Sequence, residues 1–525
     1  MLTIKRVLIS VSDKTNLEPL VKKLSSLEVE IISTGGSARF ISSLGINVKQ
    51  VDEITGFNEM LDGRVKTLHP KIHAGLLALR HHSRHMAQLQ AHDIGLIDMV
   101  VVNLYPFKRT ILKPDIKLEE AIENIDIGGP SMLRSAAKNY RSVAVLTNPS
   151  QYDRIIKELD ERGGCITDNT LAGLAVDAFS VTAEYDSCIK AYLKKRLVPN
   201  TPKAEGSIFP DELVLSLDKA QDLRYGENEH QKAAFYKRPF SKELSVSNAR
   251  QLHGKALSYN NIMDLDAAYE AVKDFDEPAA CIIKHATACG MAAADTLTGA
   301  FSDALSTDTL SAFGGIIGLN RKVDMSTAEA VLAAGFVECV IAPGYEQNAL
   351  ARLMSKQNMR VLSVDAMSKT KDRDEFHFRN ITGGLLVQQR DAQDIDQSQL
   401  KIVTQRKPTP DEVRALIFAW KAVKFIRSNA IVLVRGTKTV GIGAGQMSRV
   451  DSVFMAIHKS GERSAGSVLA SDAFFPKEDA VEMAASAGIT SIIQPGGSKA
   501  DELIIDVCNR CNIAMVLTGI RHFRH

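Results

Sequence analysis

The stretch Ala279-Ala-Cys-Ile-Ile-Lys-His-Ala-Thr-Ala-Cys-Gly290 decides how this chain is read. The five apolar residues 279 to 283 have the length and composition of a buried parallel strand. Lys284 and His285 stand at its carboxyl end, and an Ala-rich helix is expected soon after. Open α/β sheets bind ligands at the carboxyl ends of their strands. An ammonium beside an imidazole there supplies a fixed positive charge and a base. The plainer alternative is a surface strand end carrying two polar residues.

Outward from this stretch, strands are expected at 315–319, 337–341, 430–434, 439–442, 467–470, 491–493 and 514–517. Gly436-Thr437, between Arg435 and Lys438, fits a two-residue hairpin turn in which Gly supplies positive φ. Strand, polar loop and helix recur around 279–304 and 439–458, so two similar α/β lobes are expected. The polar segment 363–380 reads as an exposed excursion. Upstream, strands at 7–11, 29–33, 99–103 and 143–147 alternate with helices at 17–24 and 38–44. That alternation implies a parallel sheet with helices on both faces. Helical register ends near Leu193, ahead of Lys194-Lys-Arg and the Pro- and Gly-bearing segment 199–206. The domain boundary is expected there, giving 1–198 and 199–525.

A chain of 525 residues exceeds a single core. With 64 Lys and Arg against 62 Asp and Glu, the net charge of +2 gives no reason to expect a nucleic-acid partner. No apolar run approaches the roughly 20 residues needed to span a bilayer, so no membrane is expected. The opening Met1-Leu-Thr-Ile-Lys-Arg-Val enters a strand and is not read as a signal peptide. Seven scattered cysteines fit reduced thiols in a cytoplasmic protein. Cys508-Asn-Arg-Cys511 reads as two of these thiols on a helix, not as a metal site. His81, His82 and His85 read as a solvated face.

Two loops in the first half suit a phosphate. One is Ser10-Val-Ser-Asp-Lys-Thr15 and the other Ser33-Thr-Gly-Gly-Ser37, each leading into a helix. Helix N-termini present unpaired N–H groups and partial positive charge. Gly35 and Gly36 allow close backbone approach, Ser12, Ser33, Thr34 and Ser37 offer hydroxyls, and Lys14 adds charge. Ordinary N-capping is the alternative for either loop alone. Asp62-Gly-Arg-Val-Lys-Thr-Leu-His-Pro70 adds Arg64, Lys66 and Thr67. Asn103-Leu-Tyr-Pro-Phe107 and Asp126-Ile-Gly-Gly-Pro130 lie at other element ends, and Lys138 supplies a further ammonium.

These motifs recur in a fixed order with Glu123-Asn-Ile-Asp-Ile-Gly-Gly-Pro130, Leu223-Arg-Tyr-Gly-Glu-Asn228, Ser311-Ala-Phe-Gly-Gly315, Gly445-Gln-Met-Ser-Arg-Val-Asp451, Ala470-Ser-Asp-Ala-Phe-Phe-Pro476 and Arg521-His-Phe-Arg-His525. From Arg6 to its last residue the chain resembles the bifunctional purine-biosynthesis family that fuses AICAR transformylase to IMP cyclohydrolase. The resemblance implies a methylglyoxal-synthase-like N-terminal domain and two cytidine-deaminase-like lobes. It implies formyl transfer from 10-formyltetrahydrofolate to AICAR, then dehydrative closure of FAICAR to IMP. It also implies a homodimer with transformylase sites at the subunit interface, and no catalytic metal.

For formyl transfer, Lys284 and His285 are the expected catalytic pair. By resemblance, Arg224, Tyr225, Asn261, Glu338, Asn429, Arg521 and Phe523 would hold AICAR, with Arg449 and Phe475 near the folate. Core packing is the alternative for Phe475 and Phe523. For ring closure, Lys66 would face the oxyanion, and Tyr105, Asp126 and Lys138 would orient the carboxamide and move protons. Ser12, Lys14, Ser33, Thr34, Gly36, Ser37, Arg64 and Thr67 would hold the phosphate, with Gly35 beside them.

Thr287-Ala288 departs from the family's usual Asn-Pro, and an Ala with a freer φ suggests a less rigid loop. A zinc deaminase would need His-x-Glu and Pro-Cys-x-x-Cys, and His285 is followed by Ala286-Thr287. An N-terminal nucleotide-phosphate sensor is the non-enzymatic alternative. It would need the phosphate cradle but not Lys66, Tyr105, Asp126 and Lys138 together.

Overall fold

The computed structural model describes residues 1–113, 115–197, 208–210, 212–215, 217–238, 243–364 and 375–525. They fall into two compact units, Met1–Glu212 and Leu213–His525. The boundary expected at 198/199 lies outside the described residues.

The first unit is built on a five-stranded sheet in the order Lys49–Gln50, Glu30–Ser33, Arg6–Val11, Met99–Asn103, Ala144–Leu146. Every pairing is parallel. The central strands are apolar runs, and Val7, Leu8, Ile9, Val100 and Val101 are fully buried, as a sheet covered on both faces requires. Helix Leu17–Ser26 places Leu17, Leu20, Val21 and Leu24 on one buried stripe. The second helix runs Gly35–Ser43, so Gly35 and Gly36 belong to its first turn and not to the loop before it. Neither Asn16 nor Thr34 caps its helix through the side chain, which removes the capping alternative for Thr34.

The second unit is a twelve-stranded sheet. Its order is Arg250–His253, Arg360–Ser363, Cys339–Ala342, Ile316–Leu319, Ala279–Lys284, Thr287–Ala293, Lys438–Gly443, Ile431–Arg435, Val468–Ser471, Ser491–Gln494, Ala514–Leu517, Lys401–Ile402. The order reads the same from both edges, as a sequence repeat demands. Thr287–Ala293 meets Lys438–Gly443 at the centre through the pairing of Ala292 with Lys438.

Three expectations are corrected here. Ala279–Lys284 is antiparallel to both neighbours, not parallel. Its apolar run reflects burial on both faces, which antiparallel strands share when helices cover them. The Ala-rich stretch that follows is itself a strand, Thr287–Ala293, and the helix waits until Leu297–Leu305. Tertiary pairing overrides alanine's helix preference. The repeat therefore aligns hairpin with hairpin. Ser258 and Thr409, Lys284 and Arg435, and Thr287 and Lys438 are each 151 residues apart. Both hairpins close through two-residue turns and shift register at matching places, Ile282/Ile283 and Leu433/Val434. In each lobe a glycine lets a helix sit on the second strand. A Cβ at Gly290 or Gly441 would run into the carbonyl of Ala304 or Ala456.

The excursion expected at 363–380 is revised at its start, while its far end is largely exposed, as expected. Ser363 ends a buried strand, and Phe376–Ile381 pairs with Gly384–Gln389. Residues 365–374 lie outside the described set.

Candidate active sites

In the first unit, contacts link several of the predicted residues around the start of helix Gly35–Ser43. The ammonium of Lys66 lies 3.3 Å from where a Cβ would stand on Gly35, and that of Lys14 lies 3.9 Å from the same point on Gly36. Two cations thus flank the free N–H groups of one helix N-terminus, and glycine keeps the approach open. Lys66 also pairs with Glu59.

Thr67, next to Lys66 and buried, places its hydroxyl where a side chain on Gly128 would be, 2.6 Å away. Gly128 opens the helix Gly128–Lys138, and Asp126 sits just ahead of it. The Asp126 carboxylate accepts the Gly129 N–H at 2.8 Å and also the Tyr105 N–H. Gly129 leaves room for it to fold back in this way. Burial, the dominant influence, raises the Asp126 pKa above the usual carboxylate value despite these bonds. The Tyr105 side chain is open to solvent.

Other predicted residues have other tasks. The Ser33 hydroxyl donates to the Ile9 carbonyl, and Ser37 both accepts from and donates to Val11 backbone groups. Both are buried and hold the loop to the neighbouring strand. Thr34 bonds Ser10 through its hydroxyl. Ser12 donates to Asn103 and to the Leu104 carbonyl. Arg64 turns to Glu123 in an exposed ion pair. Lys138 is in the last turn of the helix that Gly128 opens, so about 15 Å along the axis separates them.

Two organising residues were given no role from sequence. Asn103 accepts the N–H groups of Ser12 and Asp13 at 2.6 and 2.8 Å and donates to the Asp13 carbonyl at 2.9 Å, clamping the first loop. Its signal is a polar residue closing an apolar strand. The Tyr185 hydroxyl accepts the Asp126 N–H at 2.8 Å, a contact between distant segments that leaves no local trace.

In the second unit, Lys284 and His285 lie at the tip of the first hairpin. They line a cavity of about 270 Å³ with Cys289, Thr307, Asp308, Gln446 and Lys459 among its walls. The Lys284 ammonium donates to the carbonyls of Phe313 and Gly314 at 2.8 and 3.3 Å. His285 and Ala286 both have positive φ, 53° and 57°, as the two central residues of a type I′ turn do. Lys459 pairs with Asp308 across the cavity wall at 2.6 Å. Burial pushes the Cys289 thiol up to about 12. Ala288, the departure from the family's proline, is a buried strand residue opposite Ile283 and not part of a loop.

Glu338 donates its N–H to the Gly315 carbonyl, beside the loop that receives Lys284, and its carboxylate pairs with Arg360 at 2.5 Å. Asn261 exchanges hydrogen bonds with Ser258 in a capping box. Its neighbour Asn260 reaches the Glu227 carbonyl at 3.3 Å, close to Arg224 and Tyr225, which stack with 5.6 Å from cation to ring centroid. Asn429 donates to the carbonyls of Gln446 and Met447 and accepts from Arg449 at 2.9 Å. Arg521 lies 4.4 Å from the Phe523 ring centroid at the open C-terminal segment. The His522 N–H to Asp472 and the Arg524 N–H to Ser428 anchor that segment.

Two residues expected near the folate face inward. Arg449 is buried, pairing with Asp472 at 2.5 Å and Ser471 at 2.7 Å. Phe475 is 0% exposed in the core that holds Leu469 and Ile492, while adjacent Phe474 is open. Cys508 is buried near the end of helix Asp501–Arg510 and Cys511 is exposed beyond it.

Comparison with known proteins identifies the family. A profile described as "AICARFT/IMPCHase bienzyme" matches residues 136–459, and one described as "MGS-like domain" matches residues 16–131. The chain is 49% identical over 521 residues to the "Bifunctional purine biosynthesis protein PurH" of Oceanobacillus iheyensis, covering 99% of this chain and 100% of the relative. The protein of that name in Halalkalibacterium halodurans is 50% identical over 521 residues, with the same coverage. The one in Bacillus subtilis is 49% identical over 524 residues, covering 100% of each. With a profile spanning more than half its length and relatives half identical from end to end, the chain belongs to the AICARFT/IMPCHase bienzyme family.

Proposed function

We propose that this chain is a bifunctional enzyme of purine biosynthesis, which formylates AICAR and then closes FAICAR to IMP. The observation that carries the reading is the Lys284–His285 turn opening on a cavity, with Lys284 held by two carbonyls. The formyl donor is a folate, 10-formyltetrahydrofolate, acting as cosubstrate.

In the transfer, the AICAR amine bonds to the formyl carbon and the donor's C–N10 bond breaks. His285 is the base that takes the amine proton. Lys284 has three N–H donors, two of them on the Phe313 and Gly314 carbonyls. The third is left for the tetrahedral oxyanion or for N10 as it leaves and takes up a proton. Arg224, Tyr225, Asn261, Glu338, Asn429, Arg521 and Phe523 surround the AICAR. Arg449 acts from behind, by fixing Asn429.

In the closure, the carboxamide nitrogen attacks the formyl carbon of the same molecule and water leaves, so proximity supplies much of the rate. The phosphate lies on the N–H groups of Gly35 and Gly36 with Lys14. Lys66 faces the oxyanion. Asp126, whose burial strengthens its hold on a proton, exchanges protons beside Tyr105. Lys138 stands apart from this group, and its proton role rests on the resemblance alone. The amine of AICAR is a weak nucleophile, and forming an aromatic product draws the transfer forward.

The transformylase site is completed by a second copy in a homodimer. Leu310, Phe313 and Met447, neighbours of cavity-lining residues, are 88%, 63% and 92% exposed, and such a cluster of large apolar side chains suits an interface. The protein works in the cytoplasm, where its thiols stay reduced. Among the described residues no helix is long and apolar enough to cross a membrane.

The test is to supply AICAR and 10-formyltetrahydrofolate to purified protein and follow IMP by ultraviolet absorbance, then to supply FAICAR alone. Both should give IMP. IMP from neither would overturn the reading, and IMP from FAICAR alone would remove its transformylase half.

A further inference from the structure

The strongest unassigned feature next to the chemistry is the carboxylate under the His285 turn. Left-handed backbone is disfavoured for residues with a Cβ, and this turn uses two in succession, His285 and Ala286. Asp264, on helix Tyr259–Val272, reaches the turn from below. Its Oδ1 accepts the Ala286 N–H at 2.6 Å, and the His285 N–H adds a second, weaker interaction. A carboxylate accepting backbone N–H groups makes charge-assisted bonds, the stronger class.

The second lobe provides an internal control. The residue 151 positions on from Asp264 is Ala415, which is buried and apolar. The matching turn there is Gly436-Thr437, where glycine takes the positive φ of 59° and Thr437 is not left-handed. The acid is present only in the lobe whose turn is strained and carries the imidazole.

We infer that Asp264 is a positioning residue for formyl transfer: it holds the left-handed His285–Ala286 turn and so aims the imidazole into the cavity, without touching the reacting atoms. This rests on the role proposed for His285. It predicts that losing Asp264 lowers kcat and not substrate affinity, and that easing the left-handed conformation restores part of the loss.

The test uses the full-length protein with four variants, D264A, A286G, D264A/A286G and H285A, each assayed for formyl transfer and for FAICAR closure. D264A should lower kcat for transfer by at least about tenfold with KM changed less than about twofold, since small misplacements of a catalytic group weigh heavily. Its closure rate should stay at the wild-type value, which reports an intact fold in the first unit. Glycine at 286 favours positive φ, so D264A/A286G should recover about threefold or more over D264A. Wild-type kcat in D264A, or no recovery in the double variant, overturns the inference. H285A separates the two readings. If H285A transfers at the wild-type rate, the assignment of His285 as base fails. If H285A is inactive while D264A is unimpaired, only the positioning role fails.

Discussion

The two hairpins of the twelve-stranded sheet share a register, a bulge position and a place beside the sheet centre, yet their tips differ. Gly436-Thr437 meets the demand of a tight turn with glycine. His285-Ala286 meets it with two residues that carry side chains and adopt left-handed backbone, at about 1–2 kcal/mol each. Local strain of this kind collects at functional sites, where the surrounding structure supports it. One architecture therefore occurs in a relaxed form and in a strained form, the latter carrying the proposed base, in the same chain. The helices beneath repeat the contrast: Ser258 with Asn261 and Thr409 with Glu412 are both capping boxes, but only the second is reinforced by an arginine, Arg406.

The largest expected effect falls on the strained tip. H285A should reduce formyl transfer by at least about 10²–10⁴-fold, the usual contribution of a general base, and leave FAICAR closure intact. A wild-type transfer rate would make the two tips functionally alike and break the comparison. Next comes the contrast between units. K66A should reduce closure by about 10²–10³-fold, as the loss of an oxyanion-stabilising group does, with transfer unchanged in a stopped assay of FAICAR formation. Parallel loss of both activities would point to a folding defect.

A smaller effect distinguishes the two helix caps. Burial raises the Glu412 pKa, but hydrogen bonds from Arg406 and its neighbours outweigh this and bring it down to about 2. A carboxyl lowered from 4.5 to about 2 stabilises the fold fully above pH 4.5, and that contribution is lost as pH falls from 4.5 toward 2. E412Q should therefore cost about 1–2 kcal/mol at pH 7, after allowance for screening, and its deficit should shrink on acidification. N261A, which removes the Asn261 side-chain half of the neutral capping box and leaves Ser258 as cap, should cost about 1 kcal/mol with no such pH dependence. Denaturant unfolding at several pH values reads both, and equal pH dependence would contradict the account. G436A should likewise destabilise by about 1 kcal/mol, through its positive φ, and leave both activities as they are.

The difference between the tips also explains what was legible beforehand. Strands of Val and Ile were readable because they are buried on both faces, and so was Gly436-Thr437, a turn with local chemistry. Thr287–Ala293 was not, because Ala and Gly carry little strand preference and one of its two partners, Lys438–Gly443, lies far along the chain. Polar edge strands such as Arg250–His253 have no apolar alternation to find. Residue type marked Lys66, Asp126, Lys284 and His285 as chemically apt, but could not tell inward from outward. Phe475 and Phe474 are adjacent, and only the packed fold decides which is buried. Ser33 and Ser37 likewise look like free hydroxyls until the neighbouring strand takes them up. Asp264 and Tyr185 meet their partners across 22 and 59 residues of intervening helix and strand, so no spacing rule announces them.

The central claim is that one chain carries two separate sites acting in sequence, and a complementation assay tests it most directly. H285A and K66A are each given AICAR and 10-formyltetrahydrofolate, alone and then mixed, and IMP is followed by absorbance. Each alone should make little IMP, K66A should accumulate FAICAR, and the mixture should make IMP as FAICAR passes from one protein to the other. A mixture as inactive as its components, or IMP at the wild-type rate from either variant alone, would contradict the account.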